Sequence, residues 1–167
     1  LEMSSTFVFD EVIDDIDSIP CGKTEGRPYT DLGNAERLVD LFGANLRYSI
    51  EKNKWLIWNG IVWSDEDQTK IVPKWKYTVR SIPNGKDAAS IAWARSSESS
   101  GSISAMLKLA SGHPGIPVNE ERLDKEEHII AVKNGYVDLR SGNLIDPRKE
   151  ALCTKQVECD YNKDAKC

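Results

Sequence analysis

Asn134-Gly135 and Ser141-Gly142 are two turn dipeptides separated by one short run, Tyr136-Val137-Asp138-Leu139, whose apolar positions alternate. Asn and Gly tolerate the positive φ angles of tight turns, so each dipeptide reverses the chain. Ile129-Ile130-Ala131-Val132 leads into the first turn and Asn143-Leu144-Ile145 leaves the second. This spacing predicts a three-stranded antiparallel meander. Val157, Cys159 and Tyr161 alternate with Gln156, Glu158 and Asp160 and add a last strand.

A second hairpin signal lies upstream. Leu46 and Tyr48 suggest one strand and Lys54-Trp55-Leu56-Ile57-Trp58 another, before Asn59-Gly60 turns the chain into Ile61-Val62-Trp63. Such a hairpin brings Trp55 near Trp63 and leaves Trp58 beside the turn. Trp55 and Trp63 then serve either as cross-strand packing or as base-stacking platforms. Before this hairpin, Leu32, Ala35, Leu38, Val39 and Phe42 repeat at helical spacing. Thr30 suits the N-cap, Asp31 the first turn and Gly43 the C′ position, which predicts a helix over 31–42.

Residues 66–111 read as mostly helical. Ile71, Val72, Trp75, Val79 and Ile82 share one wheel face, with Pro73 near the start. A second helix over 86–97 would use Ala88, Ile91 and Ala92, and a third Ile103, Met106, Leu107 and Ala110. The fold class expected is α+β: a helical centre flanked by an N-terminal β-hairpin and a C-terminal antiparallel β-meander. No internal repeat is visible in the sequence.

The net charge of -5 comes from the leader. Residues 1–20 hold six acids and no base, leaving 22 bases against 21 acids in the rest. Residues 1–29 read as an acidic linker or arm, broken by Pro20, Gly22, Gly26 and Pro28, and 30–167 as a single domain. No stretch approaches the roughly 20 apolar residues of a membrane span. Cys21, Cys153, Cys159 and Cys167 form no zinc-ligand pattern and read as reduced thiols of an intracellular, cytoplasmic protein.

Chemistry-bearing motifs are sparse. Gly22-Lys23-Thr24 resembles the end of a phosphate-binding loop, but Asp17 stands where its first glycine belongs, and Gly26 and Pro28 oppose the helix that must follow. No nucleophile elbow is present, and no catalytic or metal-ligating residue is assigned. The acid pairs Asp65 with Asp67, Glu120 with Glu121 and Glu126 with Glu127 read as solvated surface.

From Thr69 to Arg95 the bases Lys70, Lys74, Lys76, Arg80, Lys86 and Arg95 face one acid, Asp87. On a helical wheel Lys70, Lys74, Lys76 and Arg80 fall opposite the apolar face, with Tyr77 among them. This is either a solvated amphipathic helix or a face that tracks phosphates, aided by an aromatic. The candidate nucleic-acid-binding residues are Lys74, Lys76, Tyr77 and Arg80.

Thr30-Asp31-Leu32-Gly33-Asn34-Ala35-Glu36-Arg37, Trp58-Asn59-Gly60 with Trp63, Val132-Lys133-Asn134-Gly135-Tyr136-Val137-Asp138-Leu139-Arg140-Ser141-Gly142 and the tail Asp160-Tyr161-Asn162-Lys163-Asp164-Ala165-Lys166-Cys167 occur in this order. Together they resemble the domain preceding the superfamily-three helicase in phage, plasmid and poxvirus primase–helicases. The resemblance implies a larger parent, with a primase domain upstream and a hexameric, ATP- and magnesium-dependent helicase downstream. It implies a coupling or collar role in DNA replication, without a catalytic site or cofactor in this chain. Single-stranded DNA and the adjacent primase and helicase domains are the expected partners. The alternatives are a small metal-dependent nuclease or primase fragment, and a protein-interaction adaptor without DNA contact.

Overall fold

A computed structural model of the chain describes residues 26–65, 68–82 and 87–165. Helix α1 (Asp31–Phe42) starts where the Thr30 side chain accepts the Gly33 amide at 3.0 Å. Ala35, Leu38 and Phe42 are buried, as their spacing predicts, but Leu32 faces solvent at 53% exposure. Asn34 and Arg37 are buried instead: the chain at 27–28 folds back onto Arg37, and Ser97 and Trp93 meet Asn34. Gly43 is not the left-handed C′ residue expected: its φ is -57°, and it continues into a 3-10 turn. Its need for glycine is crowding, since a Cβ there would stand 2.9 Å from Val39 Cγ1.

Strands β1 (Leu46–Ser49), β2 (Lys54–Trp58) and β3 (Trp63–Ser64) follow as an antiparallel set. The alternation in β2 sends Trp55 and Ile57 to one face and Leu56 and Trp58 to the other. The β2–β3 connection spans residues 59–62, longer than a two-residue turn, with Asn59 Oδ1 accepting the amides of Ile61 and Val62. This shifts the expected register. Trp63 pairs with Trp58, their rings 5.5 Å apart, whereas Trp55 packs edge-on against Tyr48 at 5.3 Å.

The helices α2 (Ile71–Arg80), α3 (Ala88–Ser96) and α4 (Ser100–Ser111) occupy the expected helical centre. Pro73 sits in the first turn of α2, where a missing N–H is harmless. Asp87 caps α3 through the Ser90 amide at 2.7 Å, and Ser99 caps α4 through that of Ser102. Ala88, Ile91 and Ala92 of α3 are exposed rather than core; Trp93 turns inward.

The helices return the chain in the direction it left, so β4 (Pro117–Val118) pairs parallel to β1. The first sheet has the order β3-β2-β1-β4. The second, β7-β6-β5-β8, repeats this plan: β5 (Ile129–Val132), β6 (Gly135–Asp138) and β7 (Asn143–Ile145) form the meander, and β8 (Gln156–Val157) lies parallel to β5. Both sheets are therefore mixed: the hairpin and the meander are antiparallel as expected, and β4 and β8 add parallel strands to them. The last strand is also shorter than expected. Beyond it the tail crosses back over the turns: Asn134 grips both backbone groups of Tyr161 at 2.9 and 3.0 Å, and the Tyr161 hydroxyl donates to the Gly142 carbonyl at 2.6 Å.

Helices α1, α2 and α4 cover one face of the first sheet around Leu38, Leu46, Ile57 and Met106. On the other face Leu56, Trp63, Val118 and Leu123 form a smaller cluster. The second sheet closes over Val62 with Ala131, Tyr136, Ala151 and Cys153. Polar bonds tie the two halves together: Tyr136 OH donates to the Ile61 carbonyl at 2.6 Å, and the Trp63 amide to the Cys153 carbonyl at 2.8 Å. Among the described residues no helix is long and apolar enough to cross a membrane.

Candidate nucleic-acid interface

The four expected binding residues lie on α2, but the structure does not leave them all facing solvent. Lys74 is buried at 6% exposure, its ammonium 5.2 Å from the Phe42 ring centroid. Tyr77 is half-buried and meets the same ring edge-on at 5.9 Å. Only Lys76 and Arg80 are exposed. The cause is a rotation of the helix away from its apolar midline, toward the Lys74–Thr78 side. Thr78 tolerates burial because its hydroxyl donates to the Lys74 carbonyl at 2.9 Å, and Lys74 tolerates it through the Phe42 π face.

Lys76 holds its ammonium 5.7 Å from the Trp75 ring centroid, and Arg80 sits 3.8 Å from Glu98 across exposed surface. Such an exposed pair holds the side chains loosely and leaves Arg80 open to exchange Glu98 for another anion. Lys86 and the glycine-lysine-threonine segment at 22–24 lie outside the described residues. Arg95 is exposed on α3.

Arg27 and Pro28, assigned to the arm from sequence, are bonded to α1. Arg27 binds both carboxylate oxygens of Asp40, at 2.8 and 2.9 Å, and reaches Glu36 at 3.1 Å. Buried Arg37 donates to the carbonyls of Arg27 and Pro28 and to Asn34 Oδ1, and Asn34 in turn donates to Ser97 at 2.9 Å. Burial pulls the Arg37 pKa below the usual arginine range. This network is a fastening between the arm, α1 and the end of α3.

A second basic group had no sequence signal because its members come from three separate elements. Arg47 on β1, Arg122 in the 3-10 turn Glu120–Arg122 and Lys149 in the turn Lys149–Ala151 gather on the face of the first sheet away from the helices. Among the described residues no group of three or more His, Cys, Asp or Glu is placed to hold a metal ion. Cys153 is buried and Cys159 exposed, both free; burial raises the Cys153 thiol above its ordinary range.

No curated protein matches the chain. A family model described as D5 N terminal like matches residues 35–167, which takes in most of α1, the other three helices and both sheets. The chain belongs to this family, the domain that precedes the superfamily-three helicase in D5-like primase–helicases.

Proposed function

We propose that this domain couples primase to helicase in a DNA-replication protein of phage or viral type, forming part of a collar above the motor ring and touching single-stranded DNA through Lys76 and Arg80. The family match across 35–167 carries this reading, because it covers the folded unit and not an isolated motif. The two exposed cations on α2 support the DNA contact: they project from a helix anchored by Ile71 and Val79, so they can follow phosphates without reading bases. ATP and magnesium belong to the helicase domain of a hexameric parent acting in the interior of its host cell, and this chain contributes no catalytic group. The nuclease alternative has no carboxylate cluster among the described residues to rest on. The adaptor reading draws on Glu98, which already faces Arg80.

The test pairs two titrations of the chain. Calorimetry with ATP and magnesium is expected to show no saturable heat, and anisotropy with a labelled single-stranded oligonucleotide weak, salt-dependent binding. Micromolar ATP affinity abolished by Lys23→Ala overturns the non-catalytic reading; no oligonucleotide binding at low salt leaves the adaptor in its place.

A further inference from the structure

The face of the first sheet turned away from the helices brings cations from three elements together near Trp63. Arg47 lies flat over the Trp63 ring, its guanidinium carbon 4.7 Å from the ring centroid. Its Nη1 donates to the carbonyls of Gly43 at 2.9 Å and Leu46 at 2.6 Å, while Nε and Nη2 find no acceptor among the described residues. Two charges act on it: Arg122, which repels, and Glu150, which attracts. Burial and then Arg122 lower its pKa from the usual arginine value. Lys149 spends its ammonium on a neutral partner, Asn45, and its carbonyl accepts the Trp63 indole N–H at 3.0 Å. Arg122 is exposed and makes no ion pair among the described residues. None of the three makes an ion pair among the described residues, although Glu150 acts on Arg47 and Glu120 and Glu121 precede Arg122 in its turn.

Like charges held together on partly desolvated ground cost free energy that a bound anion returns. Arg47 is also preorganised. Stacking on Trp63 and two carbonyl bonds fix the plane of its guanidinium, so its unused N–H groups keep one direction, the geometry that suits phosphate oxygens. Arg122 adds an exposed charge beside it, and Lys149 one held near β1 by Asn45. Trp63 is itself fully buried and bonded to the 149–153 segment, so the platform does not move with the ligand.

We propose that Arg47, Arg122 and Lys149 form a phosphate-binding site separate from α2, whose ligand is a phosphodiester of a nucleic-acid strand or the phosphate of a small molecule. The polymer source rests on the nucleic-acid reading given above; the site itself does not. Arg122 is the residue to vary, since its exposed side chain carries no packing. Arg122→Ala, Arg122→Glu and Arg122→Lys are compared with the parent chain, with thermal melting as the check on folding. One arm follows anisotropy of a labelled single-stranded oligonucleotide across about 50 to 200 mM salt. The other follows the phosphorus resonance of inorganic phosphate. Arg122→Ala is expected to weaken oligonucleotide binding roughly threefold and to make the logarithmic salt slope about 0.7 shallower, one phosphate's worth. Arg122→Glu weakens it further, and Arg122→Lys keeps most of it. An inorganic phosphate signal that broadens with the parent chain and not with Arg122→Glu, with no oligonucleotide bound, supports the site with a small-molecule phosphate as its source and ends the nucleic-acid reading alone. Equal affinity, equal slope and equal phosphate response in the parent chain and Arg122→Glu overturn the site.

Discussion

The carbonyl oxygen of Pro28 lies 2.0 Å from where a Cβ on Gly33 would stand. Glycine in the first turn of α1 therefore lets the incoming chain touch the helix backbone, and Arg37 then takes the Arg27 and Pro28 carbonyls. Gly33→Ala must push this segment off, because the clashing atom belongs to the backbone and cannot swing aside. The expected cost is about 2–4 kcal/mol, offset slightly by the better helix propensity of alanine. Urea melts check the stability, and limited chymotrypsin digestion checks the position: cleavage after Tyr29 should be slow in the parent chain and fast in the variant.

A similar crowding argument applies to Gly135, on different grounds from those the sequence suggests. The turn residues proper are Lys133 and Asn134, since Val132 pairs with Gly135. Gly135 has φ +147°, and a Cβ there would stand 3.0 Å from the Ile145 carbonyl oxygen and 3.2 Å from Leu144 Cδ1. Gly135→Val is expected to destabilise by about 1–3 kcal/mol through strain and displacement of β7. A melting temperature equal to that of the parent chain would show that β7 yields freely.

Elements with a local signal were legible in the sequence: α1 from its cap and spacing, the β5–β7 meander from its two turns. What the sequence hid depends on distant neighbours. Strand β4 has two residues and takes its partner from across the chain, so no periodicity marks it; β8 shows its alternation, but pairing with β5 lasts only two residues. The Trp58–Trp63 pairing hangs on a loop two residues longer than its dipeptide implies. Helix α2 displays an apolar face, yet its orientation answers to Phe42 on α1, which draws in Lys74 and Tyr77. The Arg47 group was unreadable for the same reason, being assembled by the packing of the two sheets.

Tyr136 gives the domain an alkaline limit. It is fully buried with its hydroxyl donating to the Ile61 carbonyl, and burial raises its pKa well above the ordinary tyrosine value of 10.0. The folded state thus keeps a proton that the unfolded chain releases. Tyr136 contributes stability that is fully present below pH 10 and is lost as pH rises from there toward the folded pKa. Cys153, also raised by burial from 9.0, adds a loss of the same sign that starts about one unit lower. Urea midpoints measured from pH 8 to 11 should fall from about pH 9. Tyr136→Phe should start less stable, by about 1–2 kcal/mol for the unpaired Ile61 carbonyl, and decline less steeply above pH 10. Parallel curves would remove Tyr136 as the titrating group.

Lys74 and Lys76, two residues apart on α2, should behave as different kinds of residue. Lys74 is packed over Phe42, so Lys74→Ala removes its buried stem and a cation–π contact and is expected to cost about 1–2 kcal/mol. It should leave the salt dependence of oligonucleotide binding unchanged, since its ammonium cannot reach a phosphate without leaving the core. Lys76 and Arg80 carry the opposite expectation. Both are exposed, and their contacts with Trp75 and Glu98 are too weak at the surface to matter much for folding. The Lys76→Ala, Arg80→Ala double variant should melt within about 0.5 kcal/mol of the parent chain. Its logarithmic salt slope should be shallower by about 1.4, the share of two phosphates on a single strand. Running all three proteins through the same melts and the same salt series separates the roles. A slope reduced by Lys74→Ala, without loss of stability, would mean that α2 turns outward when DNA binds; an unchanged slope in the double variant would take this helix off the DNA path.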